Sequence, residues 1–148
     1  MSRYERTIRI EAPRADVWAA VVDVERWPAW ASQFKRLERL DVDPLAAGSR
    51  VRVRLKGMPG AVWLVTDYEQ GHSFTWASSL VPGVLLTAGH VVVTDGDGTN
   101  AASWLEASGA LGTLLTPFLR RTLFSRNTRR FTEGLKSYVE RGGPASGP

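Results

Sequence analysis

Hydrophobic and polar residues alternate along most of the chain with the two-residue period of β-strands. The clearest segment runs from Ser49 to Lys56, where Val51, Val53 and Leu55 share one face and basic residues take the other. An antiparallel sheet with one face on a core and one in water shows this alternation. Six further segments alternate, some less regularly, at residues 3–11, 35–42, 61–69, 73–80, 84–94 and 99–109. The pattern therefore predicts seven strands.

Turn signals and prolines divide these segments. Gly57-Met58-Pro59-Gly60 and Asp95-Gly96-Asp97-Gly98 predict tight connections, and the second is the stronger hairpin signal. Pro13 suits the first turn of a helix, and apolar residues follow it at helical spacing over residues 13–27. Pro28 ends this helix or begins a second short one over residues 27–34. We therefore expect two short helices after the first strand.

The segment from Gly109 to Arg141 is long and periodic enough for a long helix, but it carries two apolar stripes. The first stripe consists of Leu111, Leu114, Leu115, Phe118 and Thr122. The second consists of Phe124, Thr128, Phe131, Leu135, Tyr138 and Val139. The stripes lie about a third of a turn apart, so one straight helix cannot bury both against one sheet. Because proline disrupts helix interiors, Pro117 predicts a short helix or turn over 111–116 and a long helix over 117–141.

Composition places the chain among ordinary globular domains. It has 148 residues, of which 43% are hydrophobic and 23% are charged, and it has no cysteine. Disulfides and thiolate chemistry are therefore excluded. The N-terminal residues lack the apolar core of a signal peptide, so we expect a cytoplasmic protein without stable membrane insertion. We expect one domain over residues 1–141 and a flexible tail over residues 142–148.

The positive charge is concentrated near the C-terminus. Residues 120–141 carry seven basic and two acidic side chains, whereas the whole chain has a net charge of +4. No aromatic residues for base stacking alternate with these basic residues, so we expect a solvated cationic face and no nucleic-acid partner. Attraction to an anionic partner or membrane surface is the less favoured alternative.

Four short motifs, taken in order, resemble a known family. Ala12-Pro13 precedes Val17-Trp18, and residues 23–30 read DVERWPAW; Gly96-Asp97-Gly98-Thr99 and the segment 112–140 follow. In this order they resemble the polyketide cyclase/dehydrase branch of the START-like (SRPBCC, helix-grip) superfamily. The resemblance implies an α+β fold of order β-αα-ββββββ-α. In it a curved, seven-stranded antiparallel sheet wraps around a long C-terminal helix and leaves an internal cavity.

Aromatic and apolar residues are the candidates for the wall of that cavity. The sequence holds six tryptophans. We expect Trp18 and Trp27 in the core, whereas the other four suit a core and a cavity wall equally. The ligand-binding candidates are Trp30, Phe34, Trp63, Trp76, His90, Trp104, Leu115, Phe118 and Leu119.

His90 is the first candidate for chemistry. It lies within the predicted strand 84–94, on the face of Ala88 and Val92, and both faces of that strand are apolar enough for a core. A buried histidine satisfied by a neighbouring group is the simpler interpretation, and a general acid/base inside a cavity is the functional one. Tyr68 and Glu106 are candidate helpers, although Glu106 suits an exposed face better.

Three functional hypotheses remain open at this stage. In the leading one, the chain binds an apolar, aromatic or polyketide-like molecule and, if catalytic, cyclises or dehydrates it as an aromatase-like lyase. In the second, it carries a lipid, quinone or isoprenoid; in the third, it is a protein-interaction module. No cluster of metal ligands or phosphate-binding loop is visible, so we expect neither metal nor cofactor. We expect a monomer or a homodimer.

Overall fold

The structure, a computed structural model, describes residues 3–142, apart from the side chains of residues 80 and 81. Seven strands form one sheet: β1 (Arg3–Ile10), β2 (Phe34–Arg39), β3 (Arg50–Leu55), β4 (Ala61–Glu69), β5 (Ser73–Val81), β6 (Val84–Asp95) and β7 (Gly98–Ser108). Their spatial order is β1-β7-β6-β5-β4-β3-β2, and every pair is antiparallel. The predicted seven-stranded antiparallel sheet is confirmed.

The helices lie between β1 and β2 and after β7. Helix α1 spans Arg14–Val22, and a 3₁₀ helix spans Val24–Ala29. After β7, helix α2 spans Ala110–Leu119, a π-helical turn spans Arg120–Phe124, and helix α3 spans Ser125–Glu140. The sheet and the long C-terminal helical segment together form the helix-grip architecture.

One face of the sheet is buried against the helices. On β3, Val51 and Val53 are buried while the intervening arginines are exposed, as the alternation predicts. On β4, Trp63 and Val65 are buried on the same side. We call this side the inner face. It is the side on which α1, the 3₁₀ helix and α3 cover the sheet, and it forms the core.

The short helical region differs from the prediction. The second helix was expected over residues 27–34, but the structure has a 3₁₀ helix over Val24–Ala29 that contains Pro28. A 3₁₀ helix is only about two turns long here, and Trp30 N–H closes it by donating to Trp27 O at 3.0 Å. Residues up to Gln33 then form a connection, so the tryptophans of this region anchor the core without a second α-helix.

The division of the C-terminal helix at Pro117 is wrong. Pro117 lies inside α2, and the helical backbone is continuous from Ala110 to Glu140. The two parts are brought into phase by the π turn instead, because its one extra residue rotates the subsequent helix by about 100°. That rotation directs the buried residues of α2 and those of α3 towards the same sheet.

Helix α2 packs on the sheet through small residues. Its buried residues are Gly112 and Thr116. A Cβ atom at Gly112 would lie 3.4 Å from the Ala107 carbonyl carbon and 3.7 Å from Val84 Cα, so the helix sits close to β6 and β7. The Thr116 hydroxyl is satisfied within the helix, since it donates to Gly112 O at 2.8 Å. The large apolar residues of α2 consequently point away from the core, except for Leu119 at its end: they are Leu111, Leu114, Leu115 and Phe118.

Most of the expected tail falls outside the described part of the chain. Residues 143–148 are not described, and Arg141 and Gly142 form a turn after α3.

A candidate ligand site inside the helix grip

A small cavity lies between the inner face of the sheet and the C-terminal helical segment. Its volume is about 60 Å³. Its walls are largely aromatic and aliphatic, and its polar members are His90, Ser103 and Asn127. The lining residues with bulky rings are Trp27, Phe34, Trp63, Trp76 and Phe131. Space of this size holds a few water molecules, whereas pockets for drug-sized ligands usually measure about 300–1,000 Å³.

His90 lies deep in this cavity. Its ring centroid is 4.4 Å from that of Phe131, 5.1 Å from those of Trp27 and Phe74, and 6.3 Å from that of Trp76. Nδ1 is buried and has no hydrogen-bond partner among the described residues. Burial lowers the pKa of the imidazole from 6.5 to about 3, because a charged ring would lose its hydration here. The ring is therefore neutral at pH 7.

Ser103 stands beside His90 on the neighbouring strand. The two residues are direct cross-strand partners in the β6–β7 ladder, so their side chains share the inner face. Ser103 was not among the residues selected from the sequence, although the hairpin at Asp95–Gly98 carries the signal. That hairpin has a two-residue turn, so Asp95 pairs with Gly98. Each further step away from the turn along both strands gives the next pair, and the fifth step pairs His90 with Ser103.

The mouth of the cavity is formed by the β3–β4 turn and the C-terminal helical segment. Met58 and Pro59 of that turn and Leu123 and Asn127 of the helical segment line the cavity and are partly or fully exposed. Asn127 is held in place by Gln33, whose Nε2 donates to Asn127 Oδ1 at 2.9 Å. Residues deeper in the cavity are buried. Access therefore lies between this turn and the π turn.

Glu106 and Trp104 lie on the opposite, outer face of the sheet. Trp104 is the cross-strand partner of Gly89, and a Cβ atom at Gly89 would come within 2.2 Å of the Trp104 ring. The guanidinium of Arg3 covers the ring at 3.7 Å from its centroid and also pairs with Glu106 at 3.7 Å. Neither residue lines the cavity. Of the two placements left open for Trp104, the cavity wall is thus not the one seen, and Glu106 lies on the outer face that its sequence position favoured.

Tyr68 and Trp30 are part of the packed core around the cavity and do not line it. The Tyr68 ring lies 5.8 Å from that of Trp18, and its hydroxyl donates to Gln70 Oε1 at 2.7 Å. Trp30 stacks on Tyr138 at 5.9 Å between ring centroids. Tyr68 is thus placed at the α1 end of the sheet, away from the cavity polar groups.

The candidates from α2 are also outside the cavity. Leu115 and Phe118 are exposed, and Leu119 is partly buried against the core. The reason is the close packing of Gly112 and Thr116 on the sheet, which turns the bulky side of α2 outward. Four of the nine proposed ligand-binding residues line the cavity: Phe34, Trp63, Trp76 and His90.

Two other kinds of site are not seen in the described part of the chain. Within residues 3–142, no three His, Cys, Asp or Glu side chains come together in a way that could hold a metal ion. Over the same residues, no helix has the length and apolarity needed to cross a bilayer.

Known proteins of similar structure include aromatase/cyclases. The Zhui aromatase/cyclase from Streptomyces sp. R1128 superposes with a TM-score of 0.71 at 16% identity, over 96% of this chain and 98% of that chain. The di-domain aromatase/cyclase StfQ of the steffimycin biosynthetic pathway gives 0.76 at 13% identity, over 94% of this chain and 50% of that chain. A protein from Thermobifida fusca gives 0.78 at 16% identity, over 95% of each chain. At these identities the similarity establishes the fold.

Sequence comparison identifies the family. No curated protein matches the chain. The family model described as polyketide cyclase/dehydrase and lipid transport matches residues 1–140, which is nearly the whole sequence. The chain belongs to the polyketide cyclase/dehydrase and lipid transport family.

Proposed function

We propose that the chain binds an apolar, aromatic or polyketide-like small molecule in the central cavity, where His90 and Ser103 hold an oxygen of the ligand. His90 carries this proposal. A buried polar group without a partner costs about 1–3 kcal/mol. Other buried atoms, such as Nε1 of Trp18 and Trp30, also lack a partner among the described residues, but of these residues only His90 lines the cavity. A ligand hydroxyl or carbonyl would supply the missing hydrogen bond, and the surrounding rings would contact its flat apolar body.

Binding requires the cavity to widen. A volume of about 60 Å³ is well below that of an aromatic ring system with its surrounding contacts. The β3–β4 turn is the part that would move, since Met58 and Pro59 lie at its tip and are not part of the sheet ladder. Its displacement from Leu123 would open the cavity without breaking strand pairing.

A matched pair of probes tests the polar contact. We expect the protein to bind 1-naphthol more tightly than naphthalene, because only the naphthol has a hydroxyl for His90 and Ser103. One hydrogen bond is worth about 1 kcal/mol, or roughly fivefold in affinity. His90→Leu should remove this preference while naphthalene still binds. His72→Leu is the control, because His72 is half-buried in the β4–β5 turn and does not line the cavity. Failure of both probes to shift the NMR signals of cavity residues would refute the proposal.

Catalysis is a second candidate function, favoured by the neutral state of the His90 ring. A neutral imidazole with a low pKa is a weak proton acceptor but a good hydrogen-bond donor to a ketone oxygen. In a bound polyketone, this polarisation would promote attack of an enol carbon on the carbonyl carbon. As the C–C bond forms, the enol becomes a ketone and its proton passes to the attacked oxygen, which becomes a hydroxyl. Loss of this hydroxyl and of one proton from the adjacent carbon then releases one water and forms a C=C bond.

Exchange of α-protons tests this second function. We expect the protein to accelerate the replacement of the methyl protons of acetophenone by deuterium from D₂O, followed by NMR. His90→Leu should abolish the acceleration while naphthalene binding persists. Acceleration that survives in the variant would remove His90 from the chemistry. If the wild-type protein binds 1-naphthol in the separate binding experiment but does not accelerate the exchange, the result would favour a carrier over a catalyst.

A further inference from the structure

Helix α2 presents a bare apolar surface to solvent. Leu114 and Phe118 are 74% and 65% exposed, and Leu111 and Leu115 flank them at 47% and 42%. Monomeric proteins rarely expose a contiguous group of large apolar side chains without a partner for it. None of the four lines the central cavity, so this surface has no part in the proposed ligand site.

Unpaired arginines continue this surface along the helix. Four arginines of the π turn and α3 are exposed: Arg121, Arg126, Arg129 and Arg130. None of them has a carboxylate within 4 Å among residues 3–142. Most of the ion pairs within that range are made by arginines elsewhere in the structure. The four charges are therefore uncompensated by their immediate surroundings.

The π turn aligns the apolar and basic groups. Its extra residue rotates α3 by about 100° relative to α2. As a result, Arg126 and Arg130 lie on the side of the helical segment that carries Leu114 and Phe118. From Leu114 to Arg130 this side extends roughly 24 Å at the rise of an α-helix. We call it the outer helical face.

An open groove runs beside α2 and adds further polar donors. It has a volume of about 810 Å³ and is lined by Thr113, Arg120, Arg121 and Ser125, among others. Arg120 donates to Arg3 O at 2.9 Å, which fixes its guanidinium at the edge of the groove. Hydroxyl and guanidinium donors in an open groove suit the phosphate groups of lipids better than an apolar ligand.

We propose that the outer helical face docks on the surface of an anionic lipid bilayer. Leu114 and Phe118 would enter the boundary between head groups and acyl chains, and the arginines would contact the anionic head groups. An apolar stripe bordered by basic residues is the pattern of helices that lie in this boundary. Each arginine near an anionic surface contributes about 1 kcal/mol, or roughly fivefold in partitioning. The proposal is independent of the cavity and of any chemistry within it.

Charge argues against two other occupants of this face. A second copy of the chain, packed through the same face, would bring its own unpaired arginines against the first set. A nucleic acid would pair with the arginines but would leave Leu114 and Phe118 in contact with polar phosphates. A bilayer satisfies the charged and the apolar groups together.

Vesicle flotation tests the proposal with two variants and one control. One variant replaces the apolar residues, Leu114→Ser with Phe118→Ser; the other replaces the four arginines by glutamine. The control replaces four exposed basic residues at the β2–β3 end of the sheet by glutamine, at Lys35, Arg36, Arg54 and Lys56. The vesicles contain phosphatidylcholine alone or phosphatidylcholine with phosphatidylglycerol, at about 0.15 M salt. Circular dichroism confirms that each variant is folded.

We expect the wild-type protein to float with phosphatidylglycerol vesicles and to remain in solution with phosphatidylcholine alone. Each of the two variants should lose at least about tenfold in partitioning, and the control should lose less than about threefold. An equal loss in the control would overturn the proposal, because attraction by net charge alone would explain it. Absence of flotation overturns it as well. So does a concentration-dependent dimer that Leu114→Ser with Phe118→Ser abolishes, or DNA binding that the apolar variant leaves unchanged.

Discussion

Replacing His90 by leucine should stabilise the protein and flatten the dependence of its stability on pH. Leucine needs no hydrogen bond, whereas Nδ1 of His90 is buried without a partner among the described residues. Relief of that unpaired group should raise the free energy of unfolding at pH 7 by about 1 kcal/mol. For a domain of this size the melting temperature would rise by about 2–4 °C.

The effect should grow as the pH falls. The unfolded chain binds a proton at His90 below pH 6.5, but the folded chain does not until about pH 3. Protonation of His90 in the unfolded chain therefore does not lower the free energy of unfolding above pH 6.5. Between pH 6.5 and about pH 3 it lowers the free energy of unfolding progressively. At about pH 4.5 this difference amounts to about 3 kcal/mol, taking 1.36 kcal/mol for each pH unit below 6.5.

Urea denaturation at about pH 7 and pH 4.5 measures both effects. The comparison must be made between proteins, because other groups also lose stability in acid. The pKa values of Asp41 and Glu140 are held low by hydrogen bonds from the backbone N–H groups of Arg50 and Glu11, respectively. Those contributions are common to wild type and His90→Leu. His72→Leu controls for removing a half-buried histidine that lies outside the cavity. Equal loss of stability in wild type and His90→Leu on acidification would refute the buried, neutral state of His90.

Two further substitutions test the packing around the sheet. Gly89→Ala should lower the free energy of unfolding by about 2–3 kcal/mol, since its Cβ would come within 2.2 Å of the Trp104 ring. The control is Gly60→Ala, where the nearest neighbours lie at 3.9 Å. Equal urea midpoints for the two variants would show that the Trp104 ring moves aside freely. Thr99→Val should cost about 1–2 kcal/mol, because the buried hydroxyl donates to Ala12 O at 2.8 Å. An unchanged midpoint would show that this hydrogen bond contributes nothing.

The strands could be predicted because their two faces differ in chemistry. On β3 arginines alternate with valines, so the buried side is evident from the sequence. On β6 both faces are apolar, and the inner side is decided by the register of the whole sheet. His90 was consequently placed on the correct face of its own strand, but only the fold shows that this face meets the cavity.

Trp104 illustrates why a large aromatic residue need not belong to the core. It is buried on the outer face because Gly89 leaves a gap for its ring and Arg3 covers it. This arrangement depends on three strands at once, and no local pattern reports it. Glu106 shares the outer side of β7 with Trp104, which is the side that its sequence position favoured.

The C-terminal helical segment departs from the prediction because hydrophobic periodicity locates large apolar residues. It does not show where small residues let a helix pack closely on the sheet. A stripe of leucines and phenylalanine predicts the buried side of α2, yet the small side of Gly112 and Thr116 packs on the sheet. The two stripes do differ in phase along a regular α-helix. A π turn that begins three residues after Pro117 supplies the rotation that brings them into line. Sequence periodicity thus indicates the mismatch without indicating how the backbone resolves it.

Native mass spectrometry of the protein purified from its own host tests the central claim most directly. We predict that the wild-type protein carries a co-purifying small molecule. The variant Ala88→Leu, which fills the cavity beside His90 and Trp76, should lack it. Thr87→Leu, at the adjacent position directed to the outer face, should retain it. A bound molecule that persists in Ala88→Leu at the wild-type level would contradict the account, because the ligand would then lie outside the helix grip.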